Sequence, residues 1–219
     1  MEMKESIKKA LEELRKNEKK KFIQTVDLII NLQKFDVKKE SVNIFVPVPH
    51  KIKDKKIAAF LESRNPNIDT ITKLEFKKYE DKKEAKKLTK KYDFFIAEAS
   101  VMPAVATSFG RVLGPSGKMP SPQLGILTNT DEKTIQEVMN KVNSSIKIKT
   151  KEPSIKLSIG KENMKDEEIA ENVIAVYNAV LKALAKGKEN IRNVKIKFTM
   201  TKPQKIDIGG KAWNPKKSK

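Results

Sequence analysis

Between Asn193 and Thr201, the apolar residues Val194, Ile196, Phe198 and Met200 alternate with Lys195, Lys197 and Thr199. A period of two puts the first set on one face of a strand and the second on the other. The polar face then offers ammonium groups and a hydroxyl, which suit phosphate and ribose oxygens. Lys21 to Leu32 has the same period, with Val26, Leu28, Ile30 and Leu32 against Thr25, Asp27 and Asn31, interrupted by Ile29. Lys21 and Phe22 stand at its start, where a phenylalanine among lysines can stack on a base or pack on a ribose. A third cationic set, Lys147, Lys149 and Lys156, alternates with Ile146, Ile148, Ile155, Leu157 and Ile159 on either side of a Lys-Glu-Pro turn. It reads as a hairpin with a basic face.

Other chemistries find little support. The chain has no cysteine and one histidine, His50. That excludes disulfides, thiolate nucleophiles and Cys/His zinc sites. His50 closes the run Pro47-Val48-Pro49 with no partner ligand and reads as structural or solvated. Neither a metal nor a cofactor is implied. The glycines in Gly110-Arg111-Val112-Leu113-Gly114-Pro115-Ser116-Gly117-Lys118-Met119-Pro120-Ser121-Pro122 invite a phosphate-loop reading, but the spacing fails. Six residues separate Gly110 from Gly117, where a phosphate loop has about four. Met119 stands in place of the magnesium-binding hydroxyl, and three prolines remove amides that a phosphate cradle needs. The segment reads as a rigid, basic, turn-rich loop.

The formal net charge is +19, which favours a polyanionic partner, nucleic acid before membrane. Only four of the 47 basic residues are arginine (Arg15, Arg64, Arg111 and Arg192), so the field is mainly lysine point charge, suited to phosphate rather than to base edges. No apolar run has the length of a transmembrane helix and the N-terminus has no hydrophobic signal core, so a soluble intracellular protein without membrane attachment is expected.

These residues need elements to hold them. Met3, Ile7, Ala10, Leu11 and Leu14 make one stripe of a helix over 3–16. Ser41 to Pro49 alternates as an edge strand, since Pro47 and Pro49 cannot donate to a ladder. From about Lys55 to Asn143 the pattern cycles: strands at 57–60, 68–71 and 92–97, a lysine-coated helix at 81–91, a helix capped by Ser100 with Pro103 in its first turn, and a helix at 131–143. Asp166, Glu167 and Glu168 open a long helix with a broad apolar stripe that Gly187 ends. Residues 211–219 are so polar that a basic, flexible tail is expected there. The expected architecture is an α+β domain made of residues 1–54 and 144–219, split by an inserted α/β domain at 55–143. Two crossing connections then join them and make a hinge.

The runs KKFIQTVDLIINL, VPVPH, GRVLGPSGKMPSP, SIGKENM and VKIKFTM occur in this order. Together they resemble the ribosomal protein L-one family, in a style that looks archaeal, over nearly the whole chain. The resemblance implies a split domain that grips ribosomal RNA and a Rossmann-like, three-layer insert, with no enzymatic activity. It also implies placement on the cytoplasmic ribosome and a monomer when free of it. The implied partners are large-subunit rRNA of the L-one stalk, exit-site tRNA released by way of that stalk, and the protein's own mRNA, which it represses. Carried over by position, the RNA-gripping residues are Lys21, Phe22, Thr25, Asp27, Asn193, Thr199, Met200 and Thr201, with Lys151 and Lys156 from the hairpin. Thr201-Lys202-Pro203 departs from the family's glycine-proline after threonine-methionine, and Asn193 replaces a common serine. The competing readings are a Rossmann-type nucleotide-binding enzyme and a general basic nucleic-acid binder.

Overall fold

The computed structural model describes residues 2–17, 20–37, 39–79, 81–150 and 152–208. In chain order the elements are helix α1 (Glu2–Arg15), then strands β1 (Thr25–Leu32), β2 (Asn43–Pro47), β3 (Ile57–Phe60) and β4 (Asp69–Ile71). Helix α2 (Lys82–Lys91), strand β5 (Phe94–Glu98), helix α3 (Met102–Ser116), strand β6 (Ile126–Leu127) and helix α4 (Glu132–Asn143) follow. Strands β7 (Ser145–Lys149) and β8 (Ser154–Lys161), helix α5 (Asp166–Ala183) and strands β9 (Ile191–Phe198) and β10 (Gln204–Ile206) complete the order. The chain divides into two units, Met1–Ile52 with Ser144–Lys219, and Lys53–Asn143.

In the first unit a four-stranded sheet runs β10-β9-β1-β8, antiparallel throughout. Along β1 burial alternates without a break, with Val26, Leu28, Ile30 and Leu32 inward. They share one core with Ile7, Leu11 and Leu14 of α1 and with Ile169, Val173, Val176 and Val180 of α5. Each such buried side chain contributes about 1.5–3 kcal/mol. Arg15 ties the end of α1 to the start of α5, reaching Asp166 Oδ1 through Nε at 3.1 Å and Nη2 at 2.6 Å. His50 serves packing: its amide donates to Asn172 Oδ1 at 3.0 Å, its carbonyl accepts from Asn172 Nδ2 at 2.9 Å, and its Nε2 lies 2.8 Å from Glu171 Oε2.

The hairpin expected across the Lys-Glu-Pro turn does not form. β7 pairs with β2 in a separate two-stranded sheet, and β8 pairs with β1. Thr150 extends the β2–β7 ladder, its amide donating to Val42 O at 2.9 Å and its hydroxyl accepting from Val42 N at 2.9 Å. Pro153 O accepts from Leu32 N at 2.9 Å and opens the other ladder. Alternation identifies a strand's two faces but not its partner, and distant strands win both ladders here.

The second unit is a parallel sheet in the order β4-β3-β5-β6, of which the short β6 was not anticipated. An aromatic cluster fills its core, with Phe109 5.0 Å from Phe60 and 5.1 Å from Phe76 between ring centroids. The segment expected to be a turn-rich loop is largely helix, since α3 runs through Gly110, Gly114 and Pro115 and stops only at Ser116. Val101, Val105, Phe109 and Leu113, spaced by four, are buried to within 1%. Their burial outweighs roughly 1 kcal/mol per interior glycine. Gly117 ends the helix at φ 70°, the left-handed region that suits glycine. Val101, not Ser100, occupies the N-cap position. The Ser100 hydroxyl bonds Glu62 instead. α5 likewise stops at Ala183, and Gly187 opens a short 3-10 segment beyond it.

Candidate nucleic-acid interface

With α1 and α5 packed on the inward residues of the first unit's sheet, the outward residues form a face of their own. Register sets its rows. Asp27 lies between Ser158 and Lys197, Ile29 between Lys156 and Lys195 with Lys205 beyond, and Asn31 between Ser154 and Asn193. Cross-strand neighbours of this kind stand about 5 Å apart, so each row is one continuous surface. In the last row Ser154 Oγ donates to Asn31 Oδ1 at 2.9 Å and Asn31 Nδ2 donates to Asn193 Oδ1 at 2.7 Å. That chain fixes the orientation of Asn193. Burial pushes the Asp27 carboxyl above its ordinary value, and Lys197 beside it draws it partly back. The face therefore presents lysine cations with one acceptor carboxylate set among them.

At the end where β1 begins, the chain leaves β9 in a tight turn. Thr199 N donates to Thr25 O at 3.1 Å, and Thr25 N donates to Thr199 Oγ1 at 3.1 Å. Phe198 N donates to Thr201 Oγ1 at 2.9 Å. Both threonine hydroxyls thus hold the turn. Met200 N donates to Gln24 Oε1 at 3.1 Å, and Gln24 is in turn held by Glu162, whose amide donates to its carbonyl at 2.8 Å. Met200, expected in the buried row, is at the exposed apex because the strand stops at Phe198; it is 64% exposed. Phe22 at 53% and Ile23 at 61% precede Gln24, so exposed large apolar side chains occur on both segments that this turn joins.

The residues singled out from sequence therefore fall into two groups. Thr25, Thr199, Met200 and Thr201 are brought together at the turn, whereas Lys21 and Phe22 lie on the segment leading to it, ahead of the strand that was expected to include them. Asp27, Asn193 and Lys156 lie along the face, Lys156 paired with Glu152 at 3.1 Å. Lys151 and the basic tail lie outside the described residues. Sequence reading missed Ile23, Ser154, Ser158 and Lys205. Extending the period of Thr25 and Asp27 back by one step reaches Ile23, whereas Lys205 sits on a strand of three residues, too short to show a period.

Residues 14–202 match the ribosomal protein L1p/L10e family. The large ribosomal subunit protein uL1 of Pyrococcus horikoshii is 36% identical over 190 residues, covering 82% of this chain and 84% of that protein. Its namesake in Nanoarchaeum equitans is 34% identical over 206 residues, covering 90% and 95%. That of Methanothermobacter thermautotrophicus is 35% identical over 212 residues, covering 91% and 95%. With the family matched over most of its length and archaeal relatives aligned almost end to end, the chain belongs to the ribosomal protein L1p/L10e family.

Proposed function

We propose that the protein is a structural constituent of the large ribosomal subunit and that the open sheet face of its split unit binds large-subunit rRNA of the L-one stalk. The observation that carries this reading is the face itself, where Lys197 stands beside Asp27, Lys195 and Lys205 occupy the next row, and the turn with the exposed Met200 stands at one end, next to the segment of Phe22 and Ile23. The wide, shallow minor groove of A-form RNA admits such a surface. Lysines neutralise phosphates, Asp27 accepts from a 2′-hydroxyl or a base amine, and the turn packs on riboses or unstacked bases. The threonine hydroxyls shape the turn and leave the contact to its apex and backbone.

The same reading extends to the stalk's part in releasing deacylated exit-site tRNA. It extends also to repression of the protein's own mRNA, which one face accounts for if rRNA and mRNA compete for it. No catalytic step belongs to this reading: the glycine-rich segment that invited a phosphate loop is helical up to Ser116. The test is competition binding of the full chain to a stalk rRNA fragment and to a scrambled RNA of equal length and salt. A preference on the order of 10³ or more is expected for a specific site. Equal affinities would reduce the protein to a general polyanion binder.

A further inference from the structure

α2 carries lysines on both flanks of its buried stripe, Ala85 and Leu88, and the flanks differ. On one, Lys87 Nζ donates to Glu84 Oε1 at 2.6 Å and Lys91 Nζ lies 4.8 Å from the centre of the Tyr92 ring. On the other, Lys86 and Lys90 line a cleft of about 510 Å³ against α3, together with Arg111, Val112 and Pro115. Among the described residues no acidic one lines this cleft, and none partners its three cations.

Cations near helix C-termini ordinarily complement the terminal carbonyls. Here that role is already filled. Lys118 Nζ donates to Thr89 O at 2.7 Å and to Tyr92 O at 2.8 Å at the end of α2. The amides of Gly117 and Lys118 close on Gly114 O and Leu113 O at the end of α3. Three like charges then share one cleft with no carboxylate partner among the described residues.

We infer that the cleft between α2 and α3 is a second nucleic-acid contact, taking the phosphates of an RNA strand. Lys86 and Lys90, four residues apart on a helix, are separated by about 6 Å along its axis, comparable to the step between successive phosphates of one strand. Arg111 adds a planar fork that grips a phosphate through two bonds, and Val112 with Pro115 gives riboses an apolar floor. An acidic peptide fits less well, because the cleft has neither a free strand edge nor a deep apolar groove to set its register. Point charges on a helix flank position a backbone and read no sequence. The contact is therefore independent of the specific recognition proposed for the sheet face.

The test compares two full-length triple variants that remove equal charge from the same unit. One is Lys86→Ala, Lys90→Ala and Arg111→Ala; the other changes the exposed Lys56, Lys77 and Lys133 to alanine. Affinity for an RNA duplex of unrelated sequence is measured against salt, with circular dichroism to establish folding. The cleft variant is expected to lose about 2 units of log K against log salt slope and about tenfold in affinity at low salt, the control variant clearly less. Restoring charge with Lys86→Arg and Lys90→Arg beside native Arg111 should keep the parental slope. Equal changes in the two alanine variants overturn the inference. An unchanged RNA slope with lost binding of poly-glutamate overturns it too, and gives the cleft to an acidic protein. The cleft variant's preference for stalk rRNA over scrambled RNA should be untouched, so loss of that preference in the parent would count against the sheet face alone.

Discussion

β1 in the split unit is buried at every second residue, whereas β3 in the insert is buried at all four of its positions. The first belongs to an antiparallel sheet whose alternate residues stay out of the core, the second to a parallel sheet buried on both faces. A one-sided sheet displays core and ligand surface in a single alternation. A sheet buried on both faces displays only its core, and its polar contacts move to helix flanks and loops. The two designs match the two kinds of RNA contact we propose: a shaped face that discriminates and a charged cleft that only holds.

That division breaks most sharply under core damage. Phe198→Ala and Phe109→Ala each empty a fully packed site and should cost about 3–5 kcal/mol in urea denaturation. Only Phe198→Ala should also abolish preference for stalk RNA, because Phe198 leads into the turn of Met200. If Phe109→Ala loses that preference equally, recognition is not confined to the split unit. Reversing charge with Lys195→Glu and Lys197→Glu should reduce stalk RNA affinity by roughly 10²-fold while thermal unfolding stays close to the parent's, since phosphate contacts carry much of the affinity.

How much of this was legible in the sequence follows from the same contrast. The inward rows of β1 and β9 could be read residue by residue because a single rule governs them. The pairing of β7 and β8 could not, because Thr150 and Pro153 hand the chain from one sheet to another through partners over a hundred residues away, and local pattern says nothing of them. α3 was hidden for the opposite reason. Gly110, Gly114 and Pro115 signal a loop, and only the buried stripe of Val105, Phe109 and Leu113 overrides them. At the site, residue types were visible but their duties were not. Thr199 read as an RNA-contacting group from its type and position, and nothing in the pattern showed that its hydroxyl also accepts from Thr25 N.

Smaller changes sharpen the account of the face. Phe22→Ala should weaken stalk RNA binding by about 1–3 kcal/mol if the ring stacks on a base, without altering stability, as the residue is more than half exposed. Thr199→Ala should cost about 0.5–1.5 kcal/mol of stability through the lost bond to Thr25, and Thr199→Ser should restore it. RNA affinity should follow the same order in this pair.

Asp27 gives the smallest effect and a distinctive sign. Its carboxyl is raised by burial, so the folded state holds more protons than the unfolded one between the ordinary value and the raised one. The stability this adds is present in acid and is lost as pH rises through the folded value, leaving the ionised carboxylate a net cost at neutral pH. Asp27→Asn should therefore make the free protein slightly more stable at pH 7, remove that part of the acid profile, and weaken stalk RNA binding. Denaturation across pH, paired with binding at neutral pH, separates the three effects.

The most direct measurement is ultraviolet cross-linking of the full chain to large-subunit rRNA, followed by mass spectrometry of the attached peptides. Specific cross-links that survive competition with scrambled RNA should fall within residues 20–27, 154–161 and 193–205, the strands and turn of the open face. Competition-resistant cross-links confined to residues 53–143, together with parental affinity in the Lys195→Glu, Lys197→Glu variant, would contradict the assignment of recognition to that face.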